Sequence, residues 1–462
     1  MSSFIVKSGF TKQGRQQSYK HGAKRRWTLL ISALALAGFA NVSAQAQPLS
    51  VANVQVIHAG KLLAVPGQKP LNKYTLVIEN GKVSALEKGF VSASKFGKSA
   101  TLVDLSSAFV MPGLMDMHVH LQGEIGPKND SEALRMSDAD TAMRSVHFAE
   151  KTLHAGFTTV RDLGAAPEQL YALRDAIEKG WVDGPRVIAS GRVAITGGHV
   201  DVDGMSPDLL ELKTEKTVCD GPYDCRRATR RAIKFGADVI KIASTGGVLS
   251  DTNTGTGQQM NDDEIREVID TAHGLGRKVA SHAHAAAGIN AALRAGVDSI
   301  EHGSYANEES IKLFKQTGAY LVPTLLAGDT VVGMAKSSDF MSPAIKAKAI
   351  RVGGDMMKNF SKAYKAGVNI AFGTDSGVSK HGINAQEAVL MKQAGMTNQD
   401  ILLSATVNAA ELIDYSDSLG TLEVGKIADV IALDENPLTD IKALLDVDFV
   451  MKSGKIVKNQ LN

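Results

Sequence analysis

Two histidines one residue apart end an apolar, strand-like run in the first third of the chain. The run is Val110-Met111-Pro112-Gly113-Leu114-Met115-Asp116-Met117-His118-Val119-His120. Side chains two residues apart on a β-strand point to the same side, so the imidazoles of His118 and His120 can bind one metal ion. Two hydrogen-bonded core histidines explain an isolated pair of this kind equally well. Residues further along the chain must decide between the two interpretations.

Polar side chains also interrupt or end four other apolar runs. A buried lysine or aspartate is costly unless it is paired or bound to a metal. Five runs that share this property are poorly explained as ordinary core polar groups, and they favour a metal site. Besides His118 and His120, the residues are Lys241 in Asp238-Val239-Ile240-Lys241-Ile242, His282 and His284, His302 in Glu301-His302-Gly303, and Asp375 in Gly373-Thr374-Asp375-Ser376.

Strand-like and helix-like segments alternate regularly between residues 111 and 415, which predicts an α/β fold of the TIM-type (β/α)8 barrel. Asn261 to Gly276, for example, has apolar residues at helical spacing. Chemistry in such barrels lies at the carboxyl ends of the strands, where the polar side chains above fall. The strand candidates are Val110 to His120, Thr158 to Leu163, Arg186 to Gly191, Asp238 to Ala243, Lys278 to His284, Ser299 to His302, Tyr320 to Leu325 and Asn369 to Asp375.

Short strands separated by turns flank the barrel on both sides. Tyr74 to Glu79, the turn Asn80-Gly81 and Lys82 to Leu86 are one example, and Ala428 to Leu433 is another. Strands from both chain ends can share one sheet. We therefore expect residues 47–110 and 416–462 to form a small composite β-sandwich beside a barrel of residues 111–415.

The first 46 residues have the pattern of a secretory signal peptide. Basic residues between Lys20 and Arg26 precede the apolar run Trp27 to Ala40, and Ala44-Gln45-Ala46 supplies a cleavage site. We expect cleavage after Ala46 and export to the periplasm, because the apolar run is short for a membrane span. An uncleaved anchor is the alternative, and Arg25-Arg26 leaves the Sec and twin-arginine routes both open.

Composition narrows the choice of partners. A formal net charge of +2, without a basic stripe of interleaved aromatic residues, argues against nucleic acid. We expect no membrane association after signal removal, and a homo-oligomer is possible. In an oxidising compartment Cys219 and Cys225 can form a disulfide or remain two free thiols. Their segment contains no histidine base and is expected to be a loop before a helix, so neither cysteine is a candidate nucleophile.

Taken together, these motifs resemble the amidohydrolase superfamily across the whole mature chain. Pro112 to His120, a lysine in the fourth strand, and the later histidines and aspartate match its two-metal dipeptidase and carboxypeptidase branch, which includes prolidase-like and Xaa-Arg-like enzymes. Imidazolonepropionase is a looser relative. The resemblance implies two divalent metal ions: the more buried bound by His118, His120 and Asp375, the more exposed by His282 and His302, with Lys241 bridging them as a carbamate.

Carbamylation explains how a lysine can serve in such a site. A free ammonium cannot bind a cation, whereas the carbamate that Lys241 would form with carbon dioxide is a bidentate anion. Histidine nitrogens and carboxylate oxygens suit Zn²⁺, although manganese, iron or cobalt can occupy the same ligands. Two such ions can share a bridging hydroxide of lowered pKa. Asp375 would take the hydroxide proton during attack and pass it to the leaving amine, as general base and then acid.

Four segments resemble the dipeptidase and carboxypeptidase branch: Thr158 to Asp162, Thr196 to His199, Ile240 to Gly247 and Ser281 to His284. We therefore expect hydrolysis of the amide bond of L-Xaa-L-Xaa dipeptides or N-acyl amino acids. The seventh strand and its loop, Tyr320 to Gly328, are apolar, which favours a hydrophobic or proline residue at the C-terminal position of the substrate.

Other functions remain open at this stage. A carboxylate entering the pocket from another loop (Glu124, Asp201, Asp203 or Asp329) would make the protein an Xaa-Arg or Xaa-Lys dipeptidase. A ring-opening hydrolase resembling imidazolonepropionase or a lactonase is a second alternative. The non-enzymatic alternatives are a metal-free barrel that binds small molecules and a periplasmic solute-binding protein.

Two further histidines are candidates for substrate contact. His284 points in the same strand direction as His282, and the resemblance implies that it contacts the substrate carbonyl or carboxylate as a catalytic residue. A hydrogen bond that supports a metal ligand is the alternative. His199 lies in the glycine-rich loop after the third strand, where loops carry specificity.

Three other residues are weaker candidates for the substrate site. Arg161, near the end of the second strand, could hold a substrate carboxylate, or form a structural ion pair with Asp162 or another acid. Tyr305, after the sixth strand, could donate a hydrogen bond to the oxyanion, although an ordinary loop aromatic is the simpler interpretation. His381 follows Asp375 in the last barrel loop.

Overall fold

The computed structural model describes residues 54–202, 205–250 and 255–461. The predicted signal peptide, residues 1–46, lies outside these ranges, as do residues 47–53 of the first predicted β-region. The described residues form seventeen strands, thirteen α-helices and two short 3₁₀ helices, at Ala93–Phe96 and Ile441–Leu445. Over the same ranges, no helix has the length and apolarity needed to cross a bilayer.

The strands form a seven-stranded sheet, an eight-stranded sheet and a two-stranded pair. In chain order they are β1 (Val54–Leu62), β2 (Leu71–Glu79), β3 (Lys82–Lys88), β4 (Thr101–Pro112), β5 (Leu114–Val119), β6 (Phe157–Asp162), β7 (Arg186–Arg192), β8 (Ala194–Ile195), β9 (Val218–Cys219), β10 (Val239–Ala243), β11 (Lys278–Ala283), β12 (Ser299–His302), β13 (Tyr320–Val322), β14 (Asn369–Ile370), β15 (Val430–Leu433), β16 (Phe449–Lys452) and β17 (Lys455–Asn459).

Most helices lie between the strands of the eight-stranded sheet. In chain order they are α1 (Asn129–Arg135), α2 (Asp138–His154), α3 (Pro167–Glu178), α4 (Pro207–Lys213), α5 (Pro222–Lys234), α6 (Asp262–Gly274), α7 (Ala286–Arg294), α8 (Glu308–Thr317), α9 (Leu325–Ser337), α10 (Pro343–Lys365), α11 (Gln386–Gln393), α12 (Asn398–Ser404) and α13 (Val407–Leu412).

The seven-stranded sheet combines strands from both ends of the described chain, in the order β17-β16-β15-β4-β1-β2-β3. β15 pairs with β4 and thereby joins the two groups of strands. The apolar side chains Ile57, Leu76, Val430 and Phe449 are fully buried in one core beneath it. The strands form one continuous hydrogen-bonded sheet rather than two separate ones, and β4 continues to Pro112, past residue 110.

The eight-stranded sheet is parallel throughout and follows the order β14-β13-β12-β11-β10-β7-β6-β5. It curls so that its first and last strands meet. The N–H of Met117 donates to the carbonyl of Phe372 (2.8 Å), and the N–H of Asp375 donates to the carbonyl of His118 (2.7 Å). Its strands are buried along most of their length, as expected for parallel strands covered by helices on the outside.

The first predicted strand of the barrel needs correction. The run from Val110 to His120 contains the end of β4 and the whole of β5, separated at Gly113. A Cβ at Gly113 would lie 2.2 Å from Thr158 Oγ1, so only glycine fits where the chain passes from one sheet into the other. A continuous apolar run does not reveal such a passage, because both strands are buried.

Two helices between β13 and β14 form an antiparallel hairpin. α9 and α10 approach closely at small residues: a Cβ on Gly353 would lie 2.3 Å from Val332 Cγ2, and one on Gly328 would lie 2.7 Å from Met356 Sδ. The predicted strand Tyr320 to Leu325 therefore ends early, at Val322, and the apolar residues that follow belong to a helix.

Cys219 and Cys225 are joined by a disulfide, the first of the two alternatives considered from the sequence. Cys219 ends the short strand β9, and Cys225 lies in the first turns of α5. The segment is thus a strand end, a turn and a helix start rather than a plain loop.

Candidate active site

The carboxyl ends of the parallel strands surround a cavity of about 230 Å³. All six predicted metal ligands line it, together with the two predicted substrate-contacting histidines. These residues are His118, His120, Lys241, His282, His302 and Asp375, with His199 and His284. Sequence segments as far apart as residues 118 and 375 therefore meet in one cavity.

Asp375 lies at the centre of the first ligand group. Its Oδ1 is 2.8 Å from His120 Nε2 and 3.5 Å from His118 Nε2. Ligand atoms of His118, His302 and Asp375 all lie within 4.8 Å of one another. Burial opposes ionisation of Asp375, but the neighbouring histidines outweigh it and hold the pKa of this carboxyl well below its usual range.

Hydrogen bonds at Nδ1 fix two of these rings. His118 Nδ1 donates to Glu301 Oε2 (2.9 Å), and His120 Nδ1 donates to the carbonyl of Gly164 (3.2 Å). Since these partners are acceptors, Nδ1 of each ring is a donor, and Nε2 is the nitrogen that faces Asp375. Burial acts to lower the pKa of His120, but its hydrogen bond with Asp375 Oδ1 outweighs burial and raises that pKa. Loss of the shared proton would leave a nitrogen and an oxygen, His120 Nε2 and Asp375 Oδ1, as ligand atoms for a cation.

His282 and His302 form the second ligand group, with ring centres 4.6 Å apart. His302 Nδ1 lies 2.7 Å from Thr324 Oγ1, so Nε2 is its ligand atom. His282 Nε2 instead donates to the carbonyl of Gly246 (3.3 Å), which leaves Nδ1 as the ligand atom. Burial lowers the pKa of both rings well below the usual value, and the neutral imidazole is the form that binds metals.

Lys241 lies in β10 and is only 2% exposed. Burial lowers the pKa of its amine to about 8, against the opposing influence of Glu301 and Asp375. The neutral amine is the form that reacts with carbon dioxide.

Four non-glycine residues that line the cavity adopt the left-handed backbone region. Their φ angles are +72° for Val200, +70° for His302, +51° for Thr324 and +60° for Asp375. Such conformations cost about 1–3 kcal/mol each and persist where the surroundings impose them. Local hydrogen bonding supplies that constraint at Asp375: the buried carboxylate of Asp116 accepts from the N–H and the hydroxyl of Thr374 (3.1 and 2.7 Å).

The residues present fit divalent cations. Neutral imidazoles, a strongly acidic carboxylate and a buried lysine offer the nitrogen and oxygen atoms that Zn²⁺ and similar ions bind. The convergence of His118, His302 and Asp375, whose ligand atoms all lie within 4.8 Å of one another, is the observation that most directly supports a cation site.

A comparison with known families agrees with this geometry. Residues 109–457 match the model of the amidohydrolase family. The chain belongs to that family. The match confirms the resemblance inferred from the strand-end motifs, and it covers both sheets apart from β1, β2, β3 and most of β4.

Individual relatives of this amidohydrolase include hydrolases of more than one kind. A solved Xaa-Pro dipeptidase with methionine bound in its active site is 39% identical, with a TM-score of 0.84 over 88% of this chain and 100% of the other. Ochratoxinase of Aspergillus niger is 32% identical over 90% of each chain. Imidazolonepropionase of Fusobacterium nucleatum is 24% identical over 84% of this chain and 92% of its own. The protein is therefore an enzyme that hydrolyses amide bonds, which removes the binding-protein alternatives.

Arg161 of this amidohydrolase does not reach the cavity. It is 1% exposed, and its guanidinium donates to Glu301 Oε1 (2.9 Å), Ser299 Oγ (3.0 Å) and the carbonyl of Met117 (2.7 Å). The position corrects the role of Arg161 as a substrate-carboxylate ligand. It matches the alternative of a structural ion pair, although the acid is Glu301 and not Asp162.

Tyr305 and His381 also lie outside the cavity lining. The ring of His381 packs on Phe148, with centroids 4.7 Å apart, and its Nε2 is 3.1 Å from the carbonyl of Gly123. Tyr305 follows β12, and its side chain packs against the main hydrophobic core. Because neither side chain lines the cavity, neither is a candidate for contact with a substrate bound there.

Arg192 lines the cavity but was not among the strand-end residues singled out from the sequence. It ends β7 and is paired in register with Lys241, so both side chains leave the sheet on the same side. Its Nη2 forms an ion pair with Glu215, and its buried Nε has no hydrogen-bond partner among the described residues. The predicted strand stopped at Gly191, one residue short of this arginine.

The hairpin of α9 and α10 supplies an apolar wall, of which the sequence indicated only the part that ends at Gly328. The apolar wall consists of Ala327, Val331, Val352 and Met356 from the hairpin, with Val248 and Val378 from barrel loops. All six are less than 10% exposed. Among the described lining residues, Asp375 is the only acid.

Proposed function

We propose that this amidohydrolase, built on a TIM-type (β/α)8 barrel, is a metal-dependent dipeptidase or carboxypeptidase. It would cleave L-Xaa-L-Xaa dipeptides or N-acyl amino acids with a hydrophobic or proline residue at the C-terminal position. One observation carries the proposal: the cavity that gathers the cation ligands is closed on another side by the apolar wall, without an acid beyond Asp375 in its described lining.

The ligand roles follow the two groups of side chains. His118, His120 and Asp375 would hold the more buried cation, and His282 and His302 the more exposed one, with the carbamate of Lys241 between them. When bound, two Zn²⁺ ions would acidify the attacking water and polarise the scissile carbonyl.

Asp375 would move the proton. Its carboxyl stays ionised because the surrounding histidines lower its pKa, so it can accept a proton from the attacking water. The carbon–oxygen bond forms as that proton reaches Asp375, and the carbon–nitrogen bond then breaks as the proton passes to the leaving amine. His284, held at Nδ1 by Ser304 Oγ (2.7 Å), directs its other ring nitrogen to the substrate.

Arg192 and His199 are the candidate contacts for the rest of the substrate. Arg192 lines the cavity and keeps a buried Nε without a hydrogen-bond partner among the described residues, although its Nη2 is paired with Glu215, and we assign to it the carboxylate role first expected of Arg161. His199 packs on His282, with ring centres 4.1 Å apart, and burial lowers its pKa to about 3, so it acts as a neutral hydrogen-bonding group.

A panel of dipeptides tests the proposal. The purified protein, supplied with Zn²⁺ and bicarbonate, should cleave Ala-Leu, Ala-Phe or Ala-Pro and the matching N-acetyl amino acids at least tenfold faster than Ala-Arg. The Asp375→Asn variant and the chelated enzyme are the inactive controls. Cleavage of Ala-Arg with Ala-Leu inert would instead identify an Xaa-Arg dipeptidase.

Lys241→Ala distinguishes the two-metal proposal from a one-metal, ring-opening hydrolase. The wild-type protein should bind two metal ions per chain. Because the carbamate of Lys241 bridges them, the variant should lose both the ions and the activity. Full activity of Lys241→Ala would favour the imidazolonepropionase-like or lactonase-like alternative.

We also propose that the mature enzyme is periplasmic, on the strength of the signal-peptide pattern in residues 1–46. N-terminal sequencing of protein from the periplasmic fraction should give a chain that begins at Gln47. Recovery of the uncleaved chain in the membrane fraction would contradict this proposal.

A further inference from the structure

A buried polar network lies directly behind the metal ligand His118. Glu301 Oε2 accepts from His118 Nδ1 (2.9 Å), and Glu301 Oε1 accepts from Arg161 Nη2 (2.9 Å) and Ser299 Oγ (2.6 Å). Arg161 also donates to Ser299 Oγ and to the carbonyl of Met117. All four side chains of the network are at most 1% exposed.

The direction of these hydrogen bonds is fixed at one end. The guanidinium of Arg161 can only donate, so Glu301 Oε1 must accept. An ionised carboxylate has no hydrogen to give, so Glu301 Oε2 must accept as well, and His118 Nδ1 must carry the proton. The lone pair of His118 is then on Nε2, the atom that lies 3.5 Å from Asp375 Oδ1.

We propose that Glu301 is a positioning residue that holds His118 in the tautomer able to bind the more buried metal ion, with Arg161 and Ser299 fixing the carboxylate. The inference rests on the proposed two-metal function. It also explains why a buried arginine lies here, which the position of Arg161 near a strand end did not. Arg161 acts on the site indirectly, through Glu301 and then His118.

Glu301→Gln separates this role from simple packing, because glutamine has nearly the same shape. Arg161 Nη2 requires an acceptor, so the glutamine oxygen must take the place of Oε1 and its NH₂ group must face His118. Two donors cannot meet, so Nδ1 of His118 must become the acceptor and Nε2 must carry the proton. An Nε2–H cannot bind a metal ion.

The experiment measures Zn²⁺ affinity by competition with a chromophoric chelator, on the full-length mature protein with bicarbonate present. Outer hydrogen-bond partners of metal-binding histidines typically change affinity 10–100-fold. We expect Glu301→Gln to lower the affinity for one of the two Zn²⁺ ions by that factor and to change the affinity for the other by no more than a few-fold. In a His118→Ala background, Glu301→Gln should cause no additional loss.

Asp429→Asn is the matched control. Asp429 is 6% exposed and pairs with Arg186 Nη1 (2.7 Å) at the amino end of the barrel, away from every proposed ligand. It should lower stability without changing Zn²⁺ affinity. Ser299→Ala, which removes one donor to Glu301, is a milder variant for use if Glu301→Gln does not fold. It should lower the affinity for the same Zn²⁺ ion about threefold, a smaller effect than loss of the carboxylate.

The outcomes distinguish the inference from the function on which it rests. Wild-type affinity in Glu301→Gln, or an equal loss in the His118→Ala background, would overturn the positioning role while the two-metal proposal stands. A wild-type protein that binds no Zn²⁺ would overturn the proposed function, and the inference with it.

Discussion

Truncating the apolar wall at Met356 should reduce the preference for large hydrophobic residues at the C-terminal position of the substrate. Met356 lines the cavity from α10 and is 5% exposed. Met356→Ala removes three heavy atoms, of which about two methylene equivalents can contact a leucine side chain in the cavity. At about 0.8 kcal/mol per buried methylene, the loss is about 1.6 kcal/mol, or roughly fifteen-fold in kcat/KM.

The assay compares kcat/KM for Ala-Leu and Ala-Gly in the same enzyme preparations. The ratio of the two values should fall by about the same fifteen-fold factor, because Ala-Gly has no side chain to contact the wall. Met391→Ala is the matched control: Met391 is fully buried in α11 and does not line the cavity. Both variants should lose about 2–5 kcal/mol of folding stability from the core truncation, so stability does not explain a difference between them. An unchanged ratio in Met356→Ala would refute the placement of the leaving residue against this wall.

Three other predictions address the cavity and the opposite end of the barrel. Arg192→Gln should raise KM for Ala-Leu by about tenfold, since a charge-assisted hydrogen bond contributes about 1.5–3 kcal/mol, but should not change KM for Ala-Leu amide, which has no carboxylate; equal effects on both substrates would refute the carboxylate role. Gly328→Ala should push the flexible Met356 side chain into the cavity, because its Cβ would lie 2.7 Å from Met356 Sδ, and should slow Ala-Phe more than Ala-Gly; a uniform change would argue against it. Burial lowers the pKa of Lys452 in the folded protein to about 8, below its unfolded value. The free energy of unfolding of the wild type, measured in urea, should therefore rise relative to that of Lys452→Met between about pH 8 and pH 10.5. Parallel pH dependences of the two proteins would contradict that shift.

Sequence reasoning found the polar residues that line the cavity because their positions follow from one rule. Side chains at the carboxyl ends of parallel strands must meet, and a lysine or aspartate there is conspicuous against an apolar strand. His118, Lys241 and Asp375 were recognisable for this reason. The rule also separates the strand-end residues from histidines elsewhere, such as His273, whose ring pairs with Asp298 near the surface.

The same rule failed for Arg161, since it does not say which of two adjacent residues at a strand end faces the cavity. Arg161 and Asp162 both end β6, but the carboxylate of Asp162 caps the N–H groups of Leu121 and Gly164, and the arginine turns into the barrel interior. Its partner Glu301 lies 140 residues away in the chain. Only the closed barrel brings the two charges together.

The rest of the apolar wall could not be predicted for a different reason. Its residues lie on two helices whose inward faces look like ordinary core positions, and Val331 and Val352 have the same spacing signals as residues that pack against the barrel. Which apolar face borders a cavity depends on how the hairpin is placed over the strand ends. Gly328 and Gly353 permit that close placement, but a glycine in a helix is equally compatible with a weak helix.

The backbone hydrogen bonds that join the first and last strands of the eight-stranded sheet also hold the proposed metal site. Asp375 N–H donates to the carbonyl of His118, and Asp116 holds both the N–H of His118 (3.1 Å) and Thr374. The backbone bonds that join the first strand to the last therefore set the distance between Asp375 and two other predicted ligands, His118 in β5 and His120 directly after it. Any change that weakens these hydrogen bonds must move Asp375 away from His118 and His120 before it unfolds the barrel, so metal affinity should be lost earlier along such a series of variants than secondary structure.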